Sequence, residues 1–233
     1  ESSESFGAYC RLHHPAWKVP MFHHKLIEAL DRLEKGTLLS DFNDEWKVIE
    51  HNHNNREDKK LQKKYTRPQD AHLLYNLMIN MPPRHSKSTY ATSLFPSYYL
   101  ARNPTRFSMT ASYNSQLATD FGRAQRQYLQ HEETNLVFPD FALSKDSRAM
   151  DVFRTTEGGA AYNIGMGATT SGRPANLLSL DDPIKSRAEA DSATQRQKAW
   201  DYYTSALTTR LQPDVNGEHP IQIVCYTRWH PDD

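Results

Sequence analysis

Long apolar runs are absent from this sequence. No stretch approaches the roughly 18–20 consecutive apolar residues that a membrane-spanning helix needs, and no signal-peptide pattern opens the chain. We therefore expect no membrane partner. The chain starts at Glu1 without an initiator methionine, so we interpret it as a trimmed fragment. Its 233 residues are enough for one substantial domain, with or without a small appendage.

Cysteine and net charge are also scarce. The two cysteines, Cys10 and Cys225, lie far apart and form no disulfide framework, which favours a reducing, cytosolic setting. Lys plus Arg and Asp plus Glu each number 28, so the formal net charge is zero. Bulk charge consequently gives no indication of nucleic-acid binding, although this balance is compatible with a local basic face.

The remaining pattern alternates strands and helices. Residues 20–36 read as a helix that starts at Pro20 and stops at Gly36. The polar residues 41–70 are interpreted as an exposed insertion, helical in parts, with the mixed charges of a solvated face. We predict buried strands at 73–81, 107–111, 162–167, 177–180 and 221–224. Strands that alternate with amphipathic helices predict an α/β fold with a mostly parallel central sheet and helices on both faces.

Two amphipathic helices are predicted after the second and fourth of these strands, at 115–131 and 192–211. The first is expected to turn inward one stripe of residues, Leu117, Phe121, Ala124 and Tyr128. The second is expected to turn inward Trp200, Tyr203, Leu207 and Leu211, and to end before Pro213.

The clearest functional pattern is MPPRHSKS at residues 81–88, where a strand turns into a helix that begins near Lys87. The amides of such a loop and of the following helix N-terminus bind phosphate oxygens. In this interpretation Lys87 contacts the β- and γ-phosphates of ATP, and the Ser88 hydroxyl binds Mg²⁺.

Glycine is missing from this loop. The general phosphate-loop motif has glycine where this chain has Met81 and Ser86. A serine in a left-handed conformation costs on the order of 1–2 kcal/mol, so the loop is expected to take a slightly different path. The alternative is a proline-rich turn that caps an ordinary helix and binds nothing.

A second pattern is LLSLDDP at residues 177–183, a hydrophobic strand that ends in two carboxylates. At the carboxyl edge of a parallel sheet both carboxylates would lie beside the phosphate loop. Asp181 would then hold Mg²⁺, and Asp182 would orient and activate the attacking water. The alternative is a strand-ending turn, since Asp-Asp-Pro is good turn chemistry. Thr227, at the end of the last strand, is a candidate sensor of the γ-phosphate.

Five short blocks resemble one known family. They are MPPRHSKS (81–88), ASYN (111–114), TSGR (170–173), LDDP (180–183) and TRWH (227–230). In this order they resemble the ATPase (motor) domain of the terminase large subunit of tailed double-stranded DNA bacteriophages. The resemblance covers roughly residues 70–233. It implies a P-loop NTPase fold of the additional-strand (ASCE, RecA-like) type at 71–233, with residues 1–70 as an N-terminal helical and insertion segment that packs on it.

The resemblance also implies roles for individual residues. Asp182 is the catalytic carboxylate, and Arg84 is the loop arginine that senses the γ-phosphate. The metal residues are Ser88 and Asp181. The ATP-binding residues are Pro83, Arg84, His85, Ser86, Lys87, Ser88, Thr89 and Thr227. Ring motors also insert an arginine from the neighbouring subunit, for which Arg148 is the first candidate, followed by Arg154, Arg123 and Arg126.

The expected function is a motor that couples Mg-ATP hydrolysis to movement of double-stranded DNA into a procapsid. The implied partners are DNA, the portal protein of the procapsid, the terminase small subunit and further copies of the chain in a ring, usually a pentamer. The implied location is the host cytoplasm, docked on the procapsid. The family's nuclease domain is expected to be absent, because the chain ends at Asp233. Two alternatives are another DNA-dependent P-loop ATPase, such as a helicase-like enzyme, and a nucleotide-bound assembly module without turnover.

Overall fold

The computed structural model describes residues 5–36, 75–147, 149–230 and 232. The predicted insertion at 41–70 and the candidate Arg148 lie outside these ranges. Within them, the helices are α1 (Phe6–His13), α2 (Met21–Glu34), α3 (Phe95–Arg102), α4 (Ser115–Gln130), α5 (Glu132–Val137), α6 (Arg187–Ala190) and α7 (Ala193–Tyr202). The strands are β1 (Asn76–Asn80), β2 (Phe107–Ser112), β3 (Val152–Arg154), β4 (Ala160–Gly165), β5 (Leu177–Asp181) and β6 (Ile221–Tyr226).

Two of the helices adjoin π-helical segments. A π-helical segment, Thr89–Leu94, leads into α3, and a second one, Tyr203–Leu207, follows α7 and ends in the 3₁₀ turn Thr208–Arg210. No helix in the described ranges is long and apolar enough to cross a membrane.

The six strands form one sheet in the order β1-β6-β5-β2-β4-β3. All neighbours are parallel except β3, which runs antiparallel to β4 at the edge. The last strand in sequence, β6, lies between β1 and β5. Because parallel strands end at the same edge, the residues that follow β1, β5 and β6 are brought together there. The predicted α/β fold with a mostly parallel sheet is confirmed.

Helices pack on both faces of the sheet, as the alternation of residues along β5 illustrates. Leu177 faces a cluster that includes α1, α2 and α3, whereas Leu178 and Leu180 face a second cluster with Leu207. This two-residue period is that of a strand buried on both faces. The N-terminal helices belong to the first cluster through Phe6 and Leu30, both fully buried, so this segment packs on the sheet.

The buried face of α4 differs from the predicted one. Its buried residues are Ala118, Gly122, Gln125 and Leu129, one position beyond the predicted stripe, whose members are only partly buried. A Cβ added at Gly122 would lie 1.9 Å from the carbonyl oxygen of Met150. Close approach therefore selects glycine at this point, and hydrophobicity alone does not identify glycine and glutamine as inward-facing residues.

The helix predicted at 192–211 is present, but it is not a uniform α-helix, and its inward face was predicted only in part. Leu207 is fully buried, as expected, whereas Trp200 is 60% exposed, so its predicted inward orientation is wrong. Trp200, Met78 and Val224 line an open cavity of about 410 Å³ beside this face of the sheet. Strand β3 and the short helices α1, α5 and α6 were not predicted; β3 is only three residues long.

Replacement of Gly122 by alanine is expected to destabilise the fold by about 3 kcal/mol, because the new Cβ would overlap backbone that cannot move aside. The urea midpoint of Gly122→Ala should fall well below that of the wild type. The matched control is Gln127→Ala, which changes an exposed position of the same helix. Equal midpoints for the two variants would contradict the close approach of α4 to the sheet.

Candidate active site

The loop at residues 81–86 joins β1 to a helix that begins at Lys87, as predicted. Arg84 and Ser86 have φ values of 63° and 58°, which place both in the left-handed region. For residues other than glycine this conformation costs on the order of 1–2 kcal/mol each. Ser86 therefore takes the left-handed conformation itself, and the loop retains the strain that a glycine would relieve.

The amine of Lys87 lies between the ends of two strands. Its Nζ donates to Asp182 Oδ2 at 3.1 Å and to Thr227 Oγ1 at 3.0 Å. The lysine is 6% exposed, so its charge is largely removed from water and is compensated at this contact. The loop, the end of β5 and the end of β6 thus meet at one ammonium group.

Asp181, the last residue of β5, has a carboxylate that accepts hydrogen bonds from neighbouring side chains. Ser88 Oγ donates to Asp181 at 2.8 Å and 3.1 Å, and Thr92 Oγ1 donates to it at 3.2 Å. Cys225 lies in register with Asp181 on the neighbouring strand β6, so its thiol is close to this carboxylate. Asp181 is 1% exposed; burial, followed by repulsion from Asp182, raises its pKa to about 6.

Asp182 has a strained backbone and a more accessible side chain. Its φ is 40°, and its amide donates to the Cys225 carbonyl at 2.8 Å. Its Oδ1 accepts a hydrogen bond from the Thr227 amide at 2.7 Å, while Oδ2 faces Lys87. The side chain is 28% exposed, so water can approach this carboxylate, in contrast to that of Asp181.

The outer loop residues face solvent. Pro83, Arg84 and His85 are exposed, and Arg84 makes no ion pair with the described residues. His85 Nδ1 lies 2.9 Å from the Pro83 carbonyl oxygen. Thr89 is partly buried and opens the first π-helical segment. Among the described residues, this edge therefore presents a guanidinium without an ion-pair partner beside the start of a helix.

The arginine candidates for a trans contact lie elsewhere. Arg154 is on β3, the edge strand opposite β1, which at about 4.8 Å per strand is roughly 24 Å away across the sheet. Arg123 pairs with Asp120, and Arg126 donates to the Ser147 carbonyl. On this chain Arg154 is too distant to reach its own loop, so it could act only on a neighbouring copy.

The donor set fits a magnesium ion that is bound together with a nucleotide. The described residues contain no cluster of three or more His, Cys, Asp or Glu side chains that would form an all-protein metal site. Mg²⁺ in nucleotide sites takes only one or two protein oxygens, and water and phosphates supply the rest. The Ser88 hydroxyl and the Asp181 carboxylate, in direct contact, are such a pair.

Three residues of this site were missed in the sequence. Thr92 follows Ser88 by one helical turn, so the i, i+4 spacing was a usable signal. Cys225 could have been found from its position two residues before Thr227 on the same strand face. His23, whose Nε2 lies 2.8 Å from the His85 carbonyl oxygen, comes from α2 and had no sequence signal.

Comparison with known proteins gives this chain no family. No family model matches the sequence, and no curated protein matches it. The likeness to terminases therefore rests on the short motifs, and the roles it implies stay predictions. The structure adds geometry: it brings Lys87, Ser88 and the two carboxylates together at one edge of the sheet.

The raised pKa of Asp181 predicts a pH-dependent stability. The folded chain retains this proton to a higher pH than the unfolded chain, whose pKa is near 3.8, so the group favours folding fully below about pH 4. That contribution is lost as the pH rises through about 6. We therefore expect the free energy of unfolding of Asp181→Asn to exceed that of the wild type by about 1–3 kcal/mol at pH 7–8, and to differ little from it at pH 4.

Urea titrations of the nucleotide-free protein between pH 4 and pH 8 would measure this difference. The matched control is Asp140→Asn, which changes an exposed aspartate far along the chain from the site. A wild type and an Asp181→Asn variant with parallel pH profiles would show that the carboxyl of Asp181 titrates normally.

Proposed function

We propose that this chain is an ATP-hydrolysing P-loop domain that acts as the motor of a viral DNA-packaging terminase. The observation that supports the ATPase is the convergence of Lys87 with the two carboxylates that end β5. Lysine and a carboxylate pair at the carboxyl edge of a parallel sheet are the groups that phosphoryl transfer from ATP requires.

The order of the strands agrees with this proposal. An additional-strand P-loop fold takes its name from a strand inserted between the one before the phosphate loop and the one before the acidic residues. Strand β6 occupies that place, between β1 and β5. It also delivers Thr227 to the centre of the site, where its hydroxyl and its amide contact Lys87 and Asp182 respectively.

In the proposed mechanism the loop amides and the helix N-terminus hold the phosphates, and Lys87 exchanges part of its contact with Asp182 for β- and γ-phosphate oxygens. Ser88 and Asp181 would hold Mg²⁺ through their side-chain oxygens. When bound, Mg²⁺ would supply positive charge that stabilises the negative charge developing on the phosphates.

The exchange also prepares the water-activating group. Once Lys87 contacts phosphate, Asp182 Oδ2 is free to accept a hydrogen bond from the water that attacks the γ-phosphorus, while Oδ1 stays fixed by the Thr227 amide. Asp182 thus orients the water and receives its proton. Because Thr227 touches both partners, its position would change with the nucleotide state.

The motor function is supported by the motif resemblance rather than by the geometry of the site. The family's TRWH block follows β6 directly, so the proposed coupling residue Thr227 links the nucleotide site to the segment after β6. Double-stranded DNA, a portal, a small subunit and a homo-oligomeric ring that supplies an arginine such as Arg148 are parts of the same proposal.

A second candidate is a nucleotide-bound assembly module that does not turn over. It is favoured by the glycine-free loop, in which Arg84 and Ser86 are both strained, and by an aspartate at the water-activating position. A different DNA-dependent P-loop ATPase would share the same site. Separate measurements of ATP hydrolysis and of nucleotide binding distinguish a motor from an assembly module.

Lys87→Ala is expected to abolish measurable ATP hydrolysis, because it removes the cation that binds the β- and γ-phosphates. Steady-state phosphate release should be compared with that of the wild type and of Lys145→Ala, which removes an exposed lysine. Equal rates for wild type and Lys87→Ala would end the hypothesis that this loop is the site of hydrolysis.

Asp182→Asn is expected to bind Mg-ATP while the hydrolysis rate falls by at least about 100-fold. The side-chain oxygen of the asparagine still accepts the hydrogen bond from the Thr227 backbone N–H, but the side chain cannot take a proton from water. Fluorescent-nucleotide titration and phosphate release give the two quantities, with Asp140→Asn as control. Retained turnover would assign water activation to another group. A wild type that binds nucleotide without turnover would favour the assembly module.

A further inference from the structure

One side chain from the N-terminal helices reaches the phosphate loop. His23 on α2 donates from Nε2 to the carbonyl oxygen of His85 at 2.8 Å, across 62 residues of sequence. The histidine is 9% exposed, and its ring lies 4.9 Å from that of Tyr90, which is buried in the segment after the loop. The imidazole of His23 therefore lies between the loop and the ring of Tyr90.

The accepting carbonyl belongs to the residue between the two left-handed positions. His85 separates Arg84 and Ser86, whose φ values are 63° and 58°. Non-glycine residues persist in such conformations only where their surroundings hold them there. The other hydrogen bonds to this backbone in the described residues come from the loop and its own helix, from His85 Nδ1 and the Tyr90 amide.

The helix that carries His23 is itself fixed. Leu26 and Leu30, one and two turns further along α2, are buried in the main cluster with residues of β5 and β6. The imidazole is thus held relative to the sheet, and the sheet in turn positions the carboxylates of the site. A hydrogen bond from such an anchor restrains the loop relative to Asp181 and Asp182.

We propose that His23 is a positioning residue of the nucleotide site: its hydrogen bond to the His85 carbonyl holds the glycine-free loop in the conformation that binds phosphate. The proposal rests on the proposed nucleotide-binding function. In this proposal α2 holds the loop in a conformation that glycine would adopt without strain. The N-terminal segment thus belongs to the site, although it does not contact the reacting atoms.

The test measures the loop and the nucleotide separately. In the nucleotide-free protein, His23→Ala should increase amide hydrogen exchange across residues 84–88. His23→Gln, whose amide nitrogen can reach the same carbonyl, should restore most of the protection. In Mg-ATP titrations, His23→Ala should weaken binding by about five- to tenfold, the loss expected for one hydrogen bond. His24→Ala, an exposed neighbour on α2, should change neither quantity.

A compensating substitution distinguishes positioning from packing. In a Ser86→Gly background the left-handed conformation no longer carries the strain of a side chain, so adding His23→Ala should weaken Mg-ATP binding by less than about twofold. The same loss in both backgrounds, or unchanged exchange in His23→Ala, would overturn the proposal. Absence of nucleotide binding by the wild type would instead refute the proposed function, and hydrogen exchange would still report whether His23 restrains the loop.

Discussion

The hydrogen-bonded ion pair between Lys87 and Asp182 is the contact on which the arrangement of this site depends. It joins the helix after β1 to the end of β5, and Thr227 extends it to β6. A buried ammonium group needs an anionic partner, and the carboxylate of Asp182 supplies it. A nucleotide phosphate offers a denser negative charge to the same amine. The contact that assembles the three elements is therefore also the one that a substrate would rearrange.

Several unfavourable terms are concentrated at this edge of the sheet. Asp181 is buried with a raised pKa, and Arg84, Ser86 and Asp182 all have positive φ values. Such features persist only when the rest of the structure compensates for them, and they are typical of functional sites. The compensation here comes from the clusters on both faces of the sheet, whose members are almost entirely buried. Stability and site are thus spatially separated along each strand.

Most strands and their order along the chain could be predicted from the sequence because they follow from hydrophobic patterns. The buried face of α4 and the role of His23 could not, because each depends on one specific contact. Strands β5 and β6 were recognised because each is a short, mostly apolar segment, and the shared edge at which parallel strands end then placed Lys87 beside the carboxylates. The buried face of α4 was predicted one residue too early, because close contact with the Met150 carbonyl requires glycine at position 122 and a hydropathy pattern does not show this. His23 was missed for a similar reason, since its partner is a backbone oxygen 62 residues away.

The two sides of Lys87 are restrained by different means. In the π-helical segment after it, the Phe95 amide bonds the Tyr90 carbonyl, and Pro96 has no amide to offer to the carbonyls before it. Ser179 Oγ and Gln125 Nε2 donate to the Ala91 and Thr92 carbonyls instead, at 3.0 Å and 2.8 Å. The missing amide thus ties this segment to β5 and α4, which aligns Ser88 with Asp181. Among the described residues, the loop before Lys87 receives one such external bond, from His23 on α2, so we expect rearrangement to be easier on the loop side than on the helix side.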